Sequence, residues 1–196
     1  MKVSLLRSSL AATSLWFGIT TCSAANESEL RAGAFSPPRA APDFTLDGSH
    51  GKALELSEFR GKVVVLGFGF THCPDVCPTT LAVLAQARKK LGALAEDVQV
   101  IYVTVDPERD NPDQMRQYLA AFDPTFLGGT GSAERLAAIR KTYGIAAEKK
   151  IYGNSYSVAH SSYTYFIDRE GRLRALMPYG RTPDDYAHDV RILLKQ

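Results

Sequence analysis

Val63-Val64-Val65-Leu66-Gly67-Phe68-Gly69-Phe70-Thr71-His72-Cys73-Pro74-Asp75-Val76-Cys77-Pro78 is the stretch on which the fold turns. From Val63 to Phe70 it is nearly all apolar and rich in β-branched and aromatic residues, as in a central strand covered on both faces. Cys73 and Cys77 follow at once, each with a proline after it. Pro78 would break a helix already running from Cys73, because its ring clashes with the carbonyl four residues earlier, but it suits a first helical turn. A helix is therefore expected from Cys77 or Pro78, with Leu81, Leu84 and Leu91 on its inner face. The cysteines thus stand at the carboxyl end of a strand and the start of a helix, where α/β folds place their ligand sites.

Toward the N-terminus, Phe44/Leu46 and Leu54/Leu56 alternate on either side of the turn-forming Asp47-Gly48-Ser49-His50-Gly51, the pattern of a β-hairpin. Toward the C-terminus, Val98 to Val105 reads as a second buried strand. Asn111-Pro112-Asp113-Gln114 combines a capping residue, a proline at the first helical position and Gln three residues after the cap, so a helix starts there. A third helix is expected over 132–143, with Leu136, Ile139 and Tyr143 inward. After a loop at 152–157, a strand is expected from His160 to Ile167, a turn over 168–171 and a returning strand from Leu173 to Met177. Thr182-Pro183-Asp184-Asp185 opens a final helix with Tyr186, Val190 and Leu193 toward the core. This order implies one α/β domain over 43–196 with a mixed central sheet and helices on both faces. Residues 26–42 carry Pro37, Pro38 and Pro42 and no apolar periodicity, so a flexible linker is expected there.

The first 25 residues differ from the rest. Lys2 and Arg7 precede an apolar stretch from Leu10 to Ile19, and small residues Ser23-Ala24-Ala25 follow, the pattern of a secretory signal. The apolar stretch is about half the ~20 residues a spanning helix needs. Export to a bacterial periplasm is the expectation; the alternative is a lipoprotein signal ending before Cys22, which would hold the protein at the outer face of the cytoplasmic membrane. Membrane contact is expected only if Cys22 is lipidated. Cleavage of 1–25 removes two basic charges and no acidic ones, taking the formal charge from +2 to zero. No basic field then remains to suggest nucleic acid.

With Cys22 set aside, Cys73 and Cys77 are the remaining pair, in a compartment where thiols meet oxidants. A bridge between positions so close closes no long loop, which argues against a framework disulfide. Residues four apart on a helical turn stand roughly 5–6 Å apart, wider than the ~3.8 Å between disulfide Cβ atoms and suited to two sulfurs meeting at a metal, although Pro74 and Pro78 leave the segment free to contract. Thiolates are soft and favour Cu(I), and an imidazole added to them accommodates Cu(II). A structural zinc site usually takes a fourth protein ligand, and no third cysteine is at hand. Cys77 beside the helix start is expected to have its thiolate stabilised and its pKa lowered.

Phe68-Gly69-Phe70-Thr71-His72-Cys73-Pro74-Asp75-Val76-Cys77-Pro78, with Val105-Asp106-Pro107-Glu108-Arg109-Asp110 and the later His160, resembles the Sco/SenC family of copper-binding, thioredoxin-like proteins. The resemblance runs from about Ala41 to the C-terminus. It implies a thioredoxin-like fold, one copper ion held by Cys73, Cys77 and His160, and a role in assembling the binuclear copper centre in subunit II of cytochrome c oxidase. Other periplasmic copper carriers or thiol reductases are further expected partners. One departure stands out: many members carry Asp immediately before the ligand histidine, and here that position is Ala159. Asp106 and Asp110 are candidate substitutes, although turn and capping chemistry also accounts for them.

The remaining histidines read as bystanders. His72 should point away from the side of Cys73 if strand geometry continues, His50 falls in the hairpin turn and His188 on the last helix. Tyr163, Tyr165 and Phe166 have the character of sheet packing. A thiol-disulfide oxidoreductase or redox sensor using Cys73 and Cys77 is the competing function. Its motif would normally be C-x-x-C, and there is no proline between Pro124 and Pro178 to serve as the cis-proline of thioredoxin-type reductases. A peroxiredoxin-like peroxidase, prompted by Cys77-Pro78-Thr79, ranks last because no convincing set of peroxide-polarising residues accompanies it.

Overall fold

The computed structural model describes residues 29–196; the expected signal over 1–25 and Cys22 lie outside them. The apolar run that precedes the cysteines forms β4 (Val63–Gly69), every residue of which is buried. It pairs in parallel with β5 (Val98–Thr104), Val63 opposite Val98 and Gly69 opposite Thr104. Its other neighbour is β9 (Tyr163–Ile167), which runs antiparallel and is followed by β10 (Arg172–Pro178). Beyond β5 lie β6 (Leu127–Thr130) and the hairpin of β2 (Thr45–Gly48) with β3 (Ala53–Glu55). With β1 (Gly33–Ala40) at the far edge beside β10, the sheet has eight strands.

Helices cover both faces, as the element order implies. Adjacent residues of β9 show this directly, since side chains alternate along a strand. Tyr165 packs on Tyr143 of α3 (Ala133–Tyr143), whereas Phe166 packs on Tyr186 of α4 (Pro183–Leu194). On the α4 side lie α1 (Val76–Leu91), which packs along α4, and α2 (Pro112–Ala120), whose Met115 and Leu119 sit over Gly128. The helix starts follow local chemistry. Asn111 Oδ1 accepts from Gln114 N at 2.9 Å, Ser132 Oγ accepts from Arg135 N at 3.2 Å, and Thr182 with Asp185 forms a reciprocal capping box.

Three expectations are corrected. The flexible linker over 26–42 contains strand β1, and the ordered domain therefore starts before residue 43. Ala34 pairs with Ala175 and Arg39 with Leu173, so the intervening Pro37 and Pro38 sit in a bulge of an edge strand, where a residue without an N–H costs no ladder bond. Asp189, fully buried, anchors the entry to this strand by accepting from Arg31 N and Ala32 N, each at 2.8 Å. Secondly, the expected loop at 152–157 is the turn of a separate hairpin, β7 (Ala147–Tyr152) with β8 (Ser155–His160). His160 ends β8 instead of opening β9. Thirdly, α1 begins at Val76, one residue earlier than expected, with Asp75 as its cap residue.

Candidate metal centre

Cys77 is the second residue of α1 and points back under the end of β4, where it is 1% exposed. Cys73 lies in the loop between β4 and α1 and is partly exposed; its sulfur accepts from Cys77 N at 3.5 Å. Both thiols are free. His160 reaches the same point from the end of β8, with its Nε2 3.5 Å from Cys77 Sγ. The other ring nitrogen, Nδ1, is 2.9 Å from the carbonyl of Ser161, which can only accept, so Nδ1 carries the proton. The Nε2 lone pair is thereby turned toward the sulfur, the arrangement in which an imidazole can ligate a metal. Among the described residues no three His, Cys, Asp or Glu side chains already stand together as a closed metal cage. The structure brings Cys77 into contact with each of the other two, and the donors are two sulfurs and one neutral nitrogen, a set that suits copper.

The electrostatics correct one expectation. Helix position was expected to lower the pKa of Cys77, but burial dominates and pushes the thiol up to about 12, against the nearby Tyr102 hydroxyl, which favours the thiolate. Burial also holds His160 below its ordinary value. Without a metal the pair is therefore a neutral thiol beside a neutral imidazole. A bound cation would supply the charge that burial withholds from the sulfur.

Two carboxylates frame the site without touching the imidazole. Asp110, fully buried, accepts from Thr71 N at 3.0 Å, Thr71 Oγ1 at 2.6 Å and Thr104 Oγ1 at 2.7 Å, which ties the cysteine loop to the end of β5. Asp106 accepts from Arg109 Nε at 2.5 Å and from the Tyr156 hydroxyl at 2.9 Å. Arg109 also donates to the Tyr156 carbonyl at 3.1 Å, and its guanidinium carbon stands 3.8 Å from the centre of the Tyr156 ring. Tyr156, Val158 and His160 alternate along β8 and so share one face. This clasp thus holds down the hairpin that carries His160, whose ring lies edge-on to Phe70 at 5.9 Å. Arg109 and Tyr156 carried no signal in the sequence beyond the Asp106-to-Asp110 run. Ala159 is exposed on the opposite side of β8.

The other histidines stay away from the sulfurs. His72 turns to Thr71 Oγ1 at 3.0 Å and toward Asp110, as expected of a non-ligand. His50 is exposed beside Ser49, and His188, expected to be solvated, is half-buried against Asp189 at 2.9 Å.

Fold and site together define a thioredoxin-like α/β protein with two thiols and an imidazole gathered where a central strand passes into a helix. Residues 33–195 match the family model described as SCO1/SenC. The chain belongs to the SCO1/SenC family. Its relatives include the mitochondrial SCO2 homolog of Bos taurus, 37% identical over 153 residues that make up 76% of this chain and 58% of that protein. The chain thus spans under two thirds of that relative's length. Among solved structures it is similar to Bradyrhizobium japonicum ScoI with copper bound, at 35% identity and a TM-score of 0.73, covering 80% of this chain and 99% of that one. It is also similar to BsSco, described as a member of the Sco family of cytochrome c oxidase assembly proteins with a disulfide switch, at 28% identity and a TM-score of 0.67, covering 83% and 98%.

Proposed function

We propose that this protein binds one copper ion through Cys73, Cys77 and His160 and serves the assembly of cytochrome c oxidase, delivering copper to, or preparing the cysteines of, the binuclear centre in subunit II. The observation that carries the reading is the 3.5 Å approach of His160 Nε2 to Cys77 Sγ with Nδ1 already committed to Ser161. A histidine so placed has its free lone pair on a soft sulfur donor, and burial, which raises the thiol and lowers the imidazole, disfavours the thiolate–imidazolium pair that a redox nucleophile would use. Copper is cargo in this reading. It arrives and leaves by ligand exchange, helped by the partly exposed Cys73 and half-buried His160, while Cys77 forms the buried floor. The reading places the protein in the periplasm, delivered by the N-terminal signal, with a lipid on Cys22 as the alternative anchor.

Copper titration of the reduced protein with absorption spectroscopy tests this. The wild type takes up about one equivalent, and Cys73→Ser, Cys77→Ser and His160→Ala each weaken binding sharply, because each removes a ligand. Undiminished binding by His160→Ala, together with high disulfide-reductase activity, would favour the oxidoreductase. That second reading draws on the closeness of the two free thiols, with Cys73 Sγ against Cys77 N at 3.5 Å.

A further inference from the structure

Tyr102 stands in β5 opposite Gly67 of β4 and is 2% exposed. Its ring lies along the two glycines of β4. A Cβ on Gly67 would stand 2.9 Å from ring atoms Cδ2 and Cε2, and one on Gly69 would fall 1.9 Å from the Tyr102 hydroxyl and 2.8 Å from Cys77 Sγ. No side chain fits at either position while the ring is there. Gly67 and Gly69 therefore clear a lane on the strand, and the tyrosine that fills it ends at the cysteine sulfur. A buried phenol needs a partner for its hydroxyl, and the same point beside Gly69 that lies 1.9 Å from that hydroxyl lies 2.8 Å from Cys77 Sγ, which puts the sulfur beside it. Tyr102, Cys77 and His160 line one small recess.

We propose, resting on the reading of Cys77 as a copper ligand, that the Tyr102 hydroxyl donates a hydrogen bond to the Cys77 sulfur and so sets the balance between Cu(I) and Cu(II) at the site. Tyr102 is a positioning and tuning residue: it acts through the sulfur. A hydrogen bond to a thiolate draws electron density from it. Cu(II) depends more than Cu(I) on donation from that sulfur, so the bond favours Cu(I). Hydrogen bonding around a ligating cysteine is one of the means by which proteins tune copper.

Tyr102→Phe keeps the ring and its packing and removes only the hydroxyl. Titrated with Cu(I) and Cu(II) separately, the full-length variant should show a Cu(II)-to-Cu(I) affinity ratio about tenfold above wild type, the scale of one charge-assisted hydrogen bond. Its sulfur-to-Cu(II) absorption should move to longer wavelength. Gly67→Ala retains the hydroxyl but displaces the ring, and should move the band the same way. In the copper-free reduced protein, Tyr102→Phe should make the thiol pair easier to oxidise, because the reduced sulfur loses its donor. Wild-type sulfur-to-copper absorption that neither variant shifts, with an unchanged affinity ratio, overturns the role of Tyr102 alone. Loss of all copper binding in Tyr102→Phe also overturns it, since the phenol oxygen would then be a ligand. Wild-type protein with no such absorption sinks the copper reading itself.

Discussion

Replacing Asp110 tests how the cysteine loop is held. This carboxylate is fully buried and takes its hydrogen bonds from Thr71 N, Thr71 Oγ1 and Thr104 Oγ1, at 3.0, 2.6 and 2.7 Å. Asp110→Ala leaves all three donors without an acceptor. The two hydroxyls can rotate in search of another, but the Thr71 amide cannot. At about 1–3 kcal/mol for each buried group left unsatisfied, and with partial relaxation, the loss should be about 3–4 kcal/mol, a large part of the 5–15 kcal/mol typical of a domain. Asp110→Asn should cost only about 1 kcal/mol. Its carbonyl oxygen can take the place of Oδ2 and keep the Thr71 amide and the Thr104 hydroxyl, while its amide group donates to Thr71 Oγ1; only the charge is lost. Urea unfolding of the copper-free protein, with the slope unchanged and the midpoint displaced, measures both values. Equal losses for Ala and Asn, or a loss below about 0.5 kcal/mol for Ala, would refute the argument, because the donors would then have found other partners.

The clasp on the His160 hairpin and the last helix make two further tests. Tyr156→Phe removes the 2.9 Å bond to Asp106 and should cost about 1 kcal/mol. It should also weaken copper binding several-fold while leaving one equivalent bound, since the hairpin still carries His160; full-strength binding measured by competition with a chelator would argue against the clasp. Asp185 has its carboxyl held below the usual carboxylate range, first by the Thr182 amide and then by the Thr182 hydroxyl and Arg31. The unfolded chain therefore binds this proton more readily than the folded one, and the stability is present above the ordinary value of 3.8 and lost as pH falls below it. Asp185→Asn should flatten the acid side of a thermal-melting profile, and an unchanged slope below pH 4 would count against this assignment.

How much was legible in the sequence varied with the range of the interaction responsible. Helix starts at Asn111, Ser132 and Thr182 are written in residues three apart, and the structure shows those caps. The hairpin around Asp47 and the buried runs at Val63 and Val98 were equally plain, because alternation and β-branched composition are local signals. Strand β6 was not. Leu127-Gly128-Gly129-Thr130 has little strand propensity, and its glycines are there so that α2 and the first hairpin can pack closely. Strand β1 was hidden for the opposite reason: its prolines argue against a ladder, but they fall in the bulge where no ladder bond is needed. The hairpin of β7 and β8 lacks a continuous apolar face and closes on Gly153-Asn154, with Gly153 at φ +58°.

The sequence alone determined the α/β class, the placing of two thiols between a strand and a helix, and, through the motif, the family. The tertiary structure alone decided that His160, 83 residues from Cys77, turns its free nitrogen to that sulfur. It also decided that Tyr102 lines the same recess as Cys77 and His160, and that burial outweighs the helix start in governing the thiol. Propensity, capping and spacing act over a few residues and can be read along the chain. Contact across a sheet, desolvation and the direction of a lone pair depend on which segments share a volume, and only the folded chain settles that.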